Sequence, residues 1–118
     1  MDYFQTSKNG DLKCEDILVS ELANHYQTPF YLYSHSTLER HCKVLIDNAK
    51  KYGGKVCYAV KANHNLNILK NIFEHGLGAD VVSGGEIQKS IAAGASPSDM
   101  IFSGVGKTKK EILSLIHI

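Results

Sequence analysis

The chain has little of what several function classes require. Only three of its 118 residues are cysteine, and Cys14, Cys42 and Cys57 are widely spaced with no CxxC pair. That pattern argues against a disulfide framework or a structural zinc site, and reduced thiols in a cytoplasmic protein are expected. Neither sign of charge is in excess: 13 Lys and Arg against 12 Asp and Glu give a formal net charge of +1. A nucleic-acid partner would call for a basic surplus, so none is expected. No apolar run approaches the roughly 18 residues of a membrane span, and the stretch up to Asp11 is too polar for a secretory signal. Neither a membrane partner nor export is therefore expected. The six histidines (His25, His35, His41, His64, His75 and His117) show no HExxH or related spacing, so no metal site is expected.

What is present suits one small folded domain, with 43% apolar and 21% charged residues. Gly10 and Asp11 predict a turn between two short strands, and residues 15–26 read as a short helix with Leu22, Ala23 and Tyr26 on one face and Ser20 capping its later part. A regular alternation comes next. Residues 29–34 read as an aromatic strand. Ser36 or Thr37 caps a helix through Leu38, Cys42, Leu45, Ile46 and Ala49, closed by Gly53 and Gly54. Residues 56–61 are the second strand. Asn65 or Asn67 opens a helix with Leu66, Leu69, Ile72 and Phe73 buried, closed by Gly76. Residues 79–83 are the third strand, followed by a helix led by Gly84-Gly85-Glu86, carrying Ile87, Ile91 and Ala92 and ended by Gly94. Residues 100–104 are the fourth strand, and Thr108 caps a last helix.

Short apolar strands alternating with helices imply parallel pairing with right-handed crossovers. The fold class is α/β, either a doubly wound sheet or part of a (β/α)8 barrel. A whole barrel takes about 250 residues, so four units would make an incomplete one. The last residues, Leu113-Ser114-Leu115-Ile116-His117-Ile118, look like the in-frame translation of a transposon-end sequencing adapter, so the natural sequence is expected to stop near Ile112. The plain alternative is an apolar helix end.

Chemistry concentrates on the second strand. Cys57, Ala59 and Lys61 alternate with Val56, Tyr58 and Val60. If the bulky set packs under the helices, the small set faces a roomy interior, with Lys61 at the C-terminal strand end where barrel enzymes place their chemistry. An ammonium in low dielectric loses its proton more readily, and a neutral amine attacks aldehydes. A lysine that ends a strand and reaches water fits the same pattern, and residue spacing alone leaves both readings open. Gly76 and Gly78 precede a strand instead of coming after one, so they do not form a dinucleotide fingerprint and read as a helix stop and turn. The amides of Gly84 and Gly85 open a helix and could face an anion.

The run Tyr58-Ala59-Val60-Lys61-Ala62-Asn63 resembles the cofactor-lysine motif of the fold-type III pyridoxal phosphate-dependent decarboxylases, barrel enzymes related to alanine racemase. The segment from Gly76-Leu77-Gly78-Ala79-Asp80 through Val81-Val82-Ser83-Gly84-Gly85-Glu86-Ile87 resembles the stretch C-terminal to that lysine in the diaminopimelate decarboxylase family. Thr28-Pro29-Phe30-Tyr31-Leu32-Tyr33 is similar to its entry strand, and Ile101-Phe102-Ser103-Gly104-Val105-Gly106-Lys107-Thr108 to its fourth strand and loop. Each motif alone is weak; four in order are specific.

The resemblance implies the N-terminal half of an alanine racemase-like (β/α)8 barrel. Residues 29–112 would be a partial pyridoxal phosphate-binding barrel, and residues 1–28 a leading segment that packs with a later β domain. Pyridoxal 5'-phosphate would be held covalently by Lys61, with Asp80 and Ser83 as further cofactor-binding candidates. Asp80 could equally satisfy backbone amides at a strand entrance, Ser83 could cap the next helix, and His64 reads as a solvent-exposed loop residue. The implied reaction is decarboxylation of meso-2,6-diaminopimelate, a small amino-acid substrate, to L-lysine and carbon dioxide by a homodimer. The family's phosphate-binding loop and its acid-base cysteine, which the partner subunit supplies, have no counterpart here; Cys14, Cys42 and Cys57 match none of them. The chain alone is therefore expected to be inactive. The alternatives are an ornithine or arginine decarboxylase of the same fold, a non-catalytic pyridoxal phosphate-binding barrel protein, and a small doubly wound domain that binds a partner. Alanine racemase is disfavoured, because His64-Asn65-Leu66-Asn67 stands where its Tyr-Gly-His-Gly element would come after the lysine.

Overall fold

The computed structural model describes residues 3–116. The expectations that touch positions 1, 2, 117 and 118, including His117 and the end of the C-terminal tail, lie outside the described residues. The chain divides into two compact units, Met1–His41 and Cys42–Ile118.

The N-terminal unit opens with an antiparallel meander of three strands, β1 (Phe4–Thr6), β2 (Leu12–Cys14) and β3 (Ile17–Leu18). The predicted turn at Gly10 is built around Ser7, whose hydroxyl accepts from the amides of Asn9 (3.3 Å) and Asp11 (3.1 Å). Helix α1 (Val19–Tyr26) begins later than the sequence suggested. Cys14 pairs with Ile17 and Lys13 with Leu18, so the ladder takes residues 17 and 18 before a helix can start. Its first turn has Leu18 at the cap and no side-chain cap bond, so Ser20 does not serve as one. Residues 29–34 are not a strand. Pro29 has no N–H to give, no neighbouring strand pairs with this stretch among the described residues, and Tyr31 is 91% exposed. An extended run becomes a strand only when a partner completes its hydrogen bonds.

Helix α2 (His35–Lys50) starts from Ser34, not from Ser36 or Thr37. The Ser34 hydroxyl accepts from the Thr37 amide (3.0 Å) and donates to Glu15 (2.8 Å). The same Glu15 oxygen accepts from the Ser36 amide (2.9 Å). Two orphan amides of the first turn are thus satisfied, one from a residue distant in sequence. The Ser36 amide bond, followed by the Ser34 hydroxyl bond, holds the Glu15 carboxyl below its ordinary pKa.

The C-terminal unit is the expected α/β arrangement. A parallel sheet, β4 (Cys57–Ala59), β5 (Gly78–Val81) and β6 (Met100–Phe102), alternates with α3 (Leu66–Glu74), α4 (Gly84–Ala92) and α5 (Lys109–Ile116). Three of the four anticipated strands pair; residues 29–34 are the one that does not. Asn65 caps α3, accepting from the Asn67 and Ile68 amides. Thr108 and Glu111 form a reciprocal capping box at α5. Gly53, Gly76 and Gly94 close α2, α3 and α4 in left-handed backbone, as the sequence predicted.

The core lies between the sheet and these helices: Val60, Leu69, Ala79 and Val81 are 0% exposed, with Cys42, Ile72, Phe73 and Ile87 around them. Leu66, assigned to the buried stripe of its helix, is instead exposed, as are Leu45 and Ile91. Gly78 is required at its place, because a Cβ there would run into the Asp99 carbonyl and stand 2.8 Å from Cys57 Sγ. Burial raises the pKa of all three free thiols.

Candidate active site at the strand ends

Parallel register decides which side chains share a face. Tyr58 pairs with Ala79 and Ala79 with Met100, and all three belong to the helix-side core. Ala59 pairs with Asp80, and Asp80 with Ile101, so these residues point to the opposite face. Ile101, 55% exposed, marks that face as open in this chain. The division of the second strand is as its alternation suggested: Val56, Tyr58 and Val60 join the core, and Cys57 and Ala59 turn away from it.

Lys61 departs from the strand pattern. β4 ends at Ala59, and Val60–Ala62 form a single 3-10 turn. The Tyr58 hydroxyl donates to the Asn63 carbonyl (3.4 Å), and the Asn63 side chain accepts from the Asn65 amide (3.0 Å). These bonds bend the chain out of the sheet and lead directly into α3. Val60 is driven into the core by the same turn, while Lys61 is exposed. The low-dielectric surroundings anticipated for Lys61 are therefore not formed by the described residues. Its position at the C-terminal end of β4 is as expected.

Asp80 is half-buried on β5, with its Oδ1 accepting from the Ser103 hydroxyl. Ser103 lies just past β6 and was not singled out from the sequence; its two-residue offset from Ile101, the register partner of Asp80, would have placed it on the same face. Ser83 caps α4, its hydroxyl accepting from the Glu86 amide (3.3 Å), and the Glu86 carboxylate accepts from the Val82 amide (2.8 Å). The Gly84 amide is taken by Glu111 Oε1 (3.1 Å). Of the two amides considered for an anion, that of Gly84 thus already holds a protein partner. The Thr108 amide, then the Thr108 hydroxyl and then the Gly84 amide, hold the Glu111 carboxyl below its ordinary pKa. His64 is exposed on the loop before α3. The apolar hollow lined by Leu22, Tyr26, Phe30, Tyr31 and Leu32 contains none of the anticipated site residues.

The family profile described as pyridoxal-dependent decarboxylase, pyridoxal binding domain, matches residues 35–117. The chain belongs to the pyridoxal-dependent decarboxylases. A diaminopimelate decarboxylase from Vibrio cholerae is 46% identical over 118 residues, which is all of this chain and 28% of that protein. Among solved structures, diaminopimelate decarboxylase from M. jannaschii in co-complex with L-lysine superposes with a TM-score of 0.91 at 33% identity, covering 98% of this chain and 28% of that one. An ornithine decarboxylase from Entamoeba histolytica, 23% identical with a TM-score of 0.71 over 83% of this chain and 31% of that one, shares the fold. The chain thus spans little more than a quarter of the curated relative it matches. As a pyridoxal-binding segment of this decarboxylase family, it has a donor set that fits the cofactor. Lys61 offers an exposed primary amine at a strand end, Ala59 adds only a methyl on the open face, and Asp80 supplies a carboxylate one strand over.

Proposed function

We propose that this chain is the N-terminal part of a diaminopimelate decarboxylase, in which Lys61 is the residue that carries pyridoxal 5'-phosphate. One observation carries the reading. The lysine of the Tyr58–Asn63 motif lies on a built turn at the C-terminal end of a parallel strand, in a chain 46% identical to an enzyme of that name. When bound, the cofactor supplies an electron sink for loss of the substrate α-carboxylate as carbon dioxide. Lys61 would hold the cofactor through its Nζ. The Tyr58–Asn63 hydrogen bond fixes the turn that carries Lys61. Asp80 contributes its carboxylate to orient the lysine or the cofactor ring. Ser83 acts first as the α4 cap, and its place at the end of β5 supports a cofactor contact through the same hydroxyl.

The substrate is meso-2,6-diaminopimelate and the product L-lysine. The whole protein is a cytoplasmic homodimer. The 118 residues alone are inactive, since the family's acid-base cysteine and phosphate loop have no counterpart here. An ornithine or arginine decarboxylase is the rival, and the 46% relative named diaminopimelate decarboxylase favours the first reading over it. The test is an absorbance spectrum of the full-length protein with pyridoxal phosphate, together with carbon dioxide release from meso-diaminopimelate, ornithine and arginine. The expected result is a band near the visible edge that disappears in Lys61→Ala, with turnover of meso-diaminopimelate alone. A band that survives Lys61→Ala refutes the cofactor assignment, and turnover of ornithine or arginine instead refutes the substrate.

A further inference from the structure

We infer that Ser103 is a positioning residue for the pyridoxal phosphate site, acting through Asp80; the inference rests on the reading of Lys61 as the cofactor lysine. Four observations converge on it. Asp80 and Ile101 are register partners on neighbouring parallel strands, and Ser103 lies two residues beyond Ile101, so its side chain returns to the same open face. The Ser103 amide donates to the Val81 carbonyl (3.0 Å), continuing the β5–β6 ladder past its last paired residues and fixing the backbone that carries the hydroxyl. Gly104, immediately after, lies so close to β5 that a Cβ would stand 2.7 Å from the Val82 carbonyl oxygen and 2.9 Å from the Phe102 ring. The chain at Ser103 therefore has little room to shift. The hydroxyl donates to Asp80 Oδ1.

A carboxylate on a strand end has several side-chain rotamers, and a fixed donor selects one of them. Ser103 engages Oδ1 from the β6 side. On the β4 side, the register partner of Asp80 is Ala59, which brings a methyl and no competing polar group. The second carboxylate oxygen, Oδ2, is then the one left to meet a donor at the Lys61 end of the sheet. Ser103 itself touches neither cofactor nor substrate. It sets the direction from which Asp80 does.

The test is a double-mutant cycle in the full-length protein, read as pyridoxal phosphate affinity by absorbance titration and as the separate effects on kcat and KM. Ser103→Ala is expected to weaken cofactor affinity about tenfold, the size associated with one hydrogen bond to a charged group. Ser103→Thr, which keeps the hydroxyl, is expected to restore affinity to within about threefold of the parent. Because Ser103 works through Asp80, adding Ser103→Ala to Asp80→Asn should change affinity no further. Far-ultraviolet circular dichroism and the melting temperature of Ser103→Ala are expected to match the parent. Affinity within about twofold of the parent in Ser103→Ala, failure of Ser103→Thr to restore it, or multiplying effects in the double mutant each overturn the inference. Lys61→Ala, run alongside, separates the two ideas. If the absorbance band survives in that variant, the cofactor assignment itself has failed. If the band is lost there but Ser103→Ala titrates like the parent, only the role of Ser103 has failed.

Discussion

The two faces of the parallel sheet differ in almost every physical respect. Toward the helices, Val60, Ala79 and Val81 are wholly buried, and Leu69 and Ile87 fill the space above them. The other face carries Ala59, Asp80, Ile101 and Ser103: a methyl, a carboxylate, an exposed aliphatic and a hydroxyl. Adjacent residues of one strand thus serve opposite purposes, because alternation sends each to a different environment. Packing energy is gathered on one side, and groups able to bind are displayed on the other, at the strand ends. Substitutions one residue apart in β4 and β5 should therefore produce effects of different kinds.

The largest effect should come from breaking the helix side. Leu69→Ala removes a fully buried side chain and is expected to cost about 3 kcal/mol, measured by urea unfolding of the full-length protein. Its residual folded fraction should still take up cofactor. On the open side, Ala59→Leu should do the reverse. Its larger side chain occupies space next to the Lys61 turn and is expected to weaken pyridoxal phosphate binding about tenfold in titration, with little change in the unfolding midpoint. Ser83→Ala tests the seam between the faces: loss of the α4 cap is expected to cost about 1 kcal/mol in the same unfolding experiment.

The smallest effect is a pH dependence. The Glu111 carboxyl is held below its ordinary value of 4.5, chiefly by the Thr108 amide. A depressed carboxyl contributes stability that is fully present above the ordinary value and is lost as pH falls through the lowered one. Thermal melts from about pH 6 to about pH 3 should therefore show a decline that is shallower in Glu111→Gln. Identical slopes in the two proteins would mean that Glu111 contributes nothing to it. The exposure of this side chain keeps the expected difference small.

Much of the C-terminal unit was legible because its signals are local. Asn65, Thr108, Gly53, Gly76 and Gly94 each mark a helix end through their own backbone or side-chain chemistry. The alternation of Val56, Tyr58 and Val60 with Cys57 and Ala59 was equally readable, since it depends only on period two. What escaped depends on contacts between residues distant in sequence. Ser34, Ser36 and Thr37 are all chemically able to cap α2. The choice falls on Ser34 because Glu15 accepts from its hydroxyl and from the Ser36 amide together, while the Thr37 hydroxyl accepts from the Tyr3 amide. The end of β4 was misplaced for a similar reason: nothing in a run of strand-forming residues announces that the Tyr58 hydroxyl will reach the Asn63 carbonyl and curl the chain early. Of the proposed site, Lys61 and Asp80 come from the resemblance, whereas Ser103 enters only through the register between two strands.

The bond from Gly84 to Glu111 has a consequence in time. Donor and acceptor are 27 residues apart, so during translation the first amide of α4 emerges from the ribosome before the carboxylate that will satisfy it. At typical synthesis rates the wait is about 1 to 5 seconds. Over that interval the growing polypeptide presents an α4 whose opening amide still depends on water, and its N-terminus is completed only when the first turn of α5 has been made.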